Sequence, residues 1–237
     1  MYDITLVCTQ HKESRICNSL ELHNIIKQIS PEIIYEELSY SHFNESYKQE
    51  RLIRLETNTV KEYLKNYIIK HIPVYTYQLP LNYYEDLDRM YNELLYTKMT
   101  YESHTLRNLL EKQAALIYLN GFCFLNNDEN LKHFEEFNFL NETILNSLNY
   151  ENLLPIHRLE KEMIEKREYQ IIKDIYNFNK INSYETALMF IGSGHGKSIF
   201  NVINEFERRE TIKLNWKVTL SKVCPAPNIG IVMRITD

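Results

Sequence analysis

Thr186-Ala187-Leu188-Met189-Phe190-Ile191-Gly192-Ser193-Gly194-His195-Gly196-Lys197-Ser198 is the stretch whose reading decides the fold. An apolar run from Ala187 to Ile191 reads as a strand. It stops at a glycine-rich turn, and a helix follows from about Ser198 to Arg208. Glycine is scarce, and three of the five in the chain fall between positions 192 and 196. Glycine is needed where the backbone takes a positive φ or approaches something closely. A strand-to-helix turn at the C-terminal edge of a parallel sheet is where such folds bind ligands. Other readings stay open. The turn can be a tight connection with no ligand. It can also be an anion nest, Gly192 to Lys197, in front of a helix N-terminus. A P-loop fits less well: Gly196-Lys197-Ser198 ends the motif, but its opening glycine belongs at position 191, which is Ile.

Outward from that stretch, Asp3 to Cys8 reads as a short buried strand. A polar turn, Thr9 to Arg15, follows. Asn18 then caps a helix to about Ile29, with Glu21 as its capping-box partner. Leu20, Leu22, Ile25, Ile26 and Ile29 give this helix an apolar face. Ser30-Pro31 stops it, and Glu32 to Glu37 reads as a second strand. A strand–helix–strand unit with short links opens a parallel sheet. A helix from about Thr59 to Lys70 precedes a third strand, Ile72 to Tyr77, closed by Leu79-Pro80. Residues 83–180 are almost wholly helical in pattern. Leu106, Leu109, Leu110, Ala114, Ile117 and Tyr118 form one stripe; Met163, Ile164, Ile171, Ile172 and Ile175 form another. A last strand is expected around Leu214 to Leu220, and the tail with Pro225 and Pro227 has no assigned element. The expected class is α/β, a central mostly parallel sheet flanked by helices. Residues 1–237 are expected to form a single domain, with 83–180 a helical insertion that caps it.

Composition narrows the function. The formal charge is −5, and 44% of residues are apolar, enough for a real core. A mildly acidic chain without a Lys/Arg stripe is a poor nucleic-acid binder. The run Ala187–Ile191 is far short of the roughly 20 residues that span a bilayer. Met1-Tyr2-Asp3-Ile4 lacks a basic, apolar leader, so no signal peptide and no membrane partner are expected. Cys8, Cys17, Cys123 and Cys224 form no CxxC pair, and four reduced thiols in a cytoplasmic protein are expected. The 18 tyrosines, with abundant Asn, Lys and Ile, point to a bias of the source genome. Tyr83, Tyr84, Tyr91, Tyr96 and Tyr101 can line a pocket or pack.

Four further features can carry chemistry. His11 follows the first strand as His195 follows the later one, so the two can face one cleft. Glu36 and Glu37 end the second strand, where side chains alternate between faces. Arg167 lies in the charged run Glu165-Lys166-Arg167-Glu168, a pattern that also serves as a solvated helix face.

These residues together resemble the superfamily that joins TraB/PrgY pheromone-shutdown proteins, erythromycin esterases, ChaN, GumN and the Tiki proteases. That family carries two GxxH motifs, each after a strand. Gly192-Ser193-Gly194-His195 matches the second. Cys8-Thr9-Gln10-His11 resembles the first, with Cys8 where glycine is usual. Pro31 to Leu38 is similar to a family pattern ending Glu-Leu, which selects Glu37. Arg167-Glu168 is similar to an Arg-acid pair on the helix before the last motif. Relatives often have an Asp or a basic residue after the third strand; here that place reads Tyr77-Gln78. The resemblance covers about residues 1–80 and 160–220 and leaves out the helical insertion. It implies hydrolysis of an ester or peptide, with His11, Glu37, Arg167 and His195 catalytic. Glu36, Gly192, Gly194 and Lys197 would contact a small-molecule or peptide substrate. A divalent metal held by His11, Glu37 and His195 would activate water. Without a metal, a histidine would act as base and Arg167 would stabilise the oxyanion. Readings from other classes are a ligand-sequestering protein on the same fold and a phosphate binder using the glycine-rich turn. Oligomeric state is not legible.

Overall fold

The computed structural model describes residues 2–49, 51, 54–75, 79–97, 100–147 and 150–218. Five strands form one sheet: β1 (Tyr2–Thr9), β2 (Ile33–Glu36), β3 (Lys70–Pro73), β4 (Thr186–Gly192) and β5 (Leu214–Val218). Their order is β3-β2-β4-β1-β5, and every pairing among the described residues is parallel. The α/β expectation therefore holds. β4 lies at the centre, with Leu188 opposite Thr5 of β1 and Ile34 of β2. All of Ala187 to Ile191 are buried. A strand covered on both faces needs no polar alternation, which is why this run is continuously apolar.

The helices are α1 (Ser19–Ile29), α2 (Tyr40–Tyr47), α3 (Leu55–Leu64), α4 (Tyr83–Asn92), α5 (Tyr101–Asn120), α6 (Phe122–Leu125), α7 (Asp128–Ser147), α8 (Leu154–Asn179) and α9 (Ser198–Arg209). Asn18 caps α1 as expected: its Oδ1 accepts the Glu21 N–H at 3.0 Å. α3 starts earlier than expected, because its N-cap is Arg54, a residue that signals no helix start. α2 is a helix the periodicity does not announce; only Ser46 in it is buried. β3 begins and ends earlier than expected, and positions 76–78, 219–220, Pro225 and Pro227 lie outside the described residues.

The chain leaves β1 in one direction, past β4 to β2. It leaves β4 in the other, past β1 to β5. Right-handed crossovers running in opposite directions place α1 and α9 on opposite faces. The packing agrees: α1 lies against α3, and α9 lies against α8. The connections from β1 and β2 thus part from that of β4 at the C-terminal edge, leaving a crevice there. His11, Glu37 and His195 all follow strands at this edge.

The described residues between 83 and 179 are mostly helical, and α4 runs on into a π-helical turn, Glu93–Thr97. They hold a second apolar cluster, with Met90, Leu94, Leu106, Ile144, Leu145 and Leu153 fully buried. α6 belongs instead to the sheet's core, through Phe122, Phe124 and Leu125. Asn126, just after α6, clamps β1: its Oδ1 accepts the Cys8 N–H at 2.7 Å, and its Nδ2 donates to the Cys8 carbonyl at 2.9 Å. Gly121 makes the approach possible. Its φ is +53°, and an added Cβ would sit 2.9 Å from the Ile16 carbonyl oxygen. Gly121→Ala is expected to destabilise by about 1–3 kcal/mol, read from urea unfolding; unchanged stability would contradict the strain.

Cys8 and Cys17 are free and buried. Cys123 is not a free thiol, which corrects the expectation of four reduced cysteines, and Cys224 lies outside the described residues. No described helix is long and apolar enough to cross a membrane.

Candidate functional site

β4 ends at Gly192, a single 3₁₀ turn carries Ser193 to His195, and α9 begins at Ser198. His195 is thereby buried, its ring held between two carboxylates. Its Nδ1 lies 2.9 Å from Glu168 Oε1, and its Nε2 lies 3.1 Å from Glu37 Oε1. Ser198 Oγ is 2.6 Å from the same Glu168 oxygen. Arg167 donates to Glu37 Oε1 at 3.3 Å, and the Gly192 N–H donates to Glu37 Oε2 at 2.8 Å. The Arg167 guanidinium also stacks over the Tyr75 ring at 4.7 Å. Two carboxylates and two cationic groups therefore close one buried network.

Burial opposes ionisation of Glu37. The His195 charge, the Arg167 guanidinium and the Gly192 amide overcome it and hold the carboxyl at about 2. Burial likewise opposes the His195 imidazolium, and Glu37 and Glu168 overcome it, raising that group to about 9. Near neutrality the ring carries both protons and donates to both carboxylates. Cys8 is pushed up to about 12, first by burial and then by the Glu37 charge, so its thiol is inert at this site.

His11 is elsewhere on the same edge. Its Nδ1 lies 3.2 Å from Glu56 Oε1, which also accepts from the Thr9 hydroxyl at 2.7 Å. The ring is half exposed, while the Glu56 side chain is 10% exposed. His11, Glu56, Glu37, Glu36, Thr9 and Arg54 line a common cleft of about 270 Å³, its solvent mouth included. Glu36 is buried, holding the Tyr47 hydroxyl at 2.5 Å and His71 Nδ1 at 2.8 Å. Burial raises its carboxyl above the usual range despite those partners.

Of the residues expected to converge, Glu37, Arg167 and His195 are in direct contact. His11 instead pairs with Glu56 and shares only the cleft with Glu37. Gly192 contributes its amide to Glu37, and a Cβ there would make ordinary contacts, 3.5 Å from Glu37 Oε2. Gly194 is open enough for a Cβ too; it is Gly196, with φ +34°, that needs to be glycine. Lys197 pairs with exposed Glu135 at 3.0 Å and does not line the cleft. Tyr83 is buried, whereas Tyr84, Tyr96 and Tyr101 are exposed.

The implied metal needs lone pairs from His11, Glu37 and His195 aimed at one point. A doubly protonated His195 between two carboxylates has none to offer. Among the described residues no group of three or more His, Cys, Asp or Glu side chains is disposed to hold a metal ion. In this arrangement the residues do not fit the metal.

Sequence reasoning did not pick out Glu56, and it named Glu168 only as the acid of the Arg167-Glu168 pair, not as a member of the site. Both had a usable signal. Glu168 stands where an apolar residue belongs, in register with Ile164, Ile171, Ile172 and Ile175 along α8. Glu56 stands likewise on the face that carries Val60 and Tyr63 in α3. A carboxylate inside an apolar stripe is a buried charge that must find a partner.

No protein-family model matches the chain, and no curated protein or solved structure matches it. The family likeness rests on the short motifs alone.

Proposed function

We propose that the chain is a hydrolase of small esters or peptides, of the TraB/erythromycin-esterase type, working without a metal at the cleft of His11 and Glu37. The observation that carries this reading is the His11–Glu56 pair. Nδ1 is held by a carboxylate, the ring is half exposed, and Nε2 has no hydrogen bond among the described residues. A histidine oriented in this way by a carboxylate is the arrangement of a general base. In the proposed step, Glu37 orients a water in the cleft, and His11 Nε2 takes its proton. The hydroxide adds to the substrate carbonyl, and His11 returns the proton to the leaving group. Arg54, whose side chain lines the cleft, meets the oxyanion. His195 and Arg167 keep Glu37 ionised.

The test is a panel of p-nitrophenyl esters and fluorogenic dipeptides, assayed with wild type and His11→Ala. A loss of about 10²- to 10⁴-fold in kcat/KM is expected in the variant, with urea unfolding unchanged because the ring is half exposed. Turnover that survives His11→Ala, or none by wild type, would sink the reading.

One observation favours the ligand-sequestering alternative. Both ring nitrogens of His195, in the better-matched family motif, are already committed to protein carboxylates. Tight binding of a panel member without turnover would establish that reading instead.

A further inference from the structure

Glu56 carries more than the pairing with His11. Its two carboxylate oxygens are in different situations. Oε1 accepts from the Thr9 hydroxyl at 2.7 Å and faces His11 Nδ1 at 3.2 Å. Oε2 is buried and has no hydrogen-bond partner among the described residues. The side chain is nine-tenths buried, and it lines the cleft. A buried carboxylate oxygen left without a donor is costly, by more than an ordinary hydrogen bond contributes. Glu56 lines the cleft, so the cleft is the side from which a donor can come.

The chemistry of the missing donor follows from the neighbourhood. Glu37, another carboxylate on the cleft, already has His195, Arg167 and the Gly192 amide. Glu36 has Tyr47 and His71. Both oxygens of each of those acids are thus served, and among the described residues Glu56 Oε2 alone of the cleft's carboxylate oxygens is not. A neutral N–H would satisfy its geometry. A cation would satisfy its geometry and its charge, and a charge-assisted bond is roughly twice as strong as a neutral one. The cleft is small, about 270 Å³ with its mouth included, which suits a compact primary ammonium better than a planar guanidinium.

We propose that Glu56 Oε2 is the anchor for a primary ammonium group, so that the substrate class is amine-bearing esters or amides. The ammonium docks on Oε2 while Oε1 continues to hold His11. One carboxylate thereby places the substrate beside the base. The binding half of this inference stands apart from catalysis; only the fate of the bound molecule rests on the hydrolase reading.

The experiment uses the whole chain and two probes of similar shape, leucinamide, which carries an ammonium at pH 7, and N-acetyl-leucinamide, which does not. Isothermal titration and thermal unfolding report binding of each. Leucinamide is expected to bind at least about tenfold more tightly than the acetylated probe. Glu56→Gln is expected to remove that preference while leaving the acetylated probe's affinity within about twofold. Equal affinity of the two probes for wild type would overturn the proposal, whether or not the variant folds. So would a preference that survives Glu56→Gln, or no binding of leucinamide at all. Hydrolysis is read separately, by release of leucine from leucine p-nitroanilide. Preferential binding of leucinamide without that release would keep the ammonium site and reject the hydrolase.

Discussion

Glu168→Ala is expected to lower the stability of this protein by about 3–5 kcal/mol, the range found when one partner of a buried ion pair is removed. The carboxylate is wholly buried on α8. Its Oε1 takes both His195 Nδ1–H and the Ser198 hydroxyl. Truncation would strand an imidazolium and a hydroxyl in the interior and open a cavity beside Ile171 and Ile172. In a chain of 237 residues the loss corresponds to a fall in Tm of roughly 10 °C. Glu168→Gln keeps an acceptor at the same place and should lose about half as much. An internal control is at hand. Glu135→Ala removes the exposed pair with Lys197, worth at most about 1 kcal/mol. A double-mutant cycle with His195→Ala isolates the Glu168–His195 term, expected at about 1–3 kcal/mol. If Glu168→Ala matched Glu135→Ala within error, the network would not be holding α8 to the turn after β4.

That network also marks the boundary of what sequence reasoning reached. The strand–turn–helix at Thr186 to Arg209 was legible because three independent signals coincide there: an unbroken apolar run, clustered glycines and a helical stripe. Asn18 announced α1 for an equally local reason. Sheet order was not legible. β1 and β2 look like neighbours along the chain, yet β4 enters between them, and only long-range packing decides that. The same insertion is what brings the residues after β1, β2 and β4 to one edge. The start of α3 was missed because Arg54 is no conventional cap, and with it went Glu56, which the expected helix start at Thr59 left outside. Motif likeness singled out Glu37, Arg167 and His195, and these do touch. It also paired His11 with His195, whereas a partner 45 residues downstream, Glu56, holds His11. Local pattern names the polar residues at strand ends; it does not say which carboxylate each will meet.

Stability should also be pH-dependent, with both limbs assigned by sign. In an unfolded chain His195 titrates near 6.5 and Glu37 near 4.5. In the folded protein His195 is raised to about 9, so its contribution is complete below pH 6.5 and is lost as pH rises toward 9. Glu37 is lowered to about 2, so its contribution is complete above pH 4.5 and is lost as pH falls toward 2. The two shifts describe one interaction and are counted once. Stability is therefore expected to be greatest between pH 4.5 and 6.5 and to fall by about 3 kcal/mol along each limb. Urea unfolding from pH 2 to 9 measures it. The acid limb is shared, because Asp3 and Glu142 are also held below their ordinary range, in each case with a lysine as partner. The alkaline limb is the diagnostic one, and it should flatten in His195→Ala. A flat wild-type profile from pH 6.5 to 9 would mean that His195 does not sit as an imidazolium between Glu37 and Glu168. It would then have a lone pair to give, and the base could be His195. A falling profile keeps that nitrogen protonated through neutrality, and His195 then has no lone pair to offer a substrate or a metal.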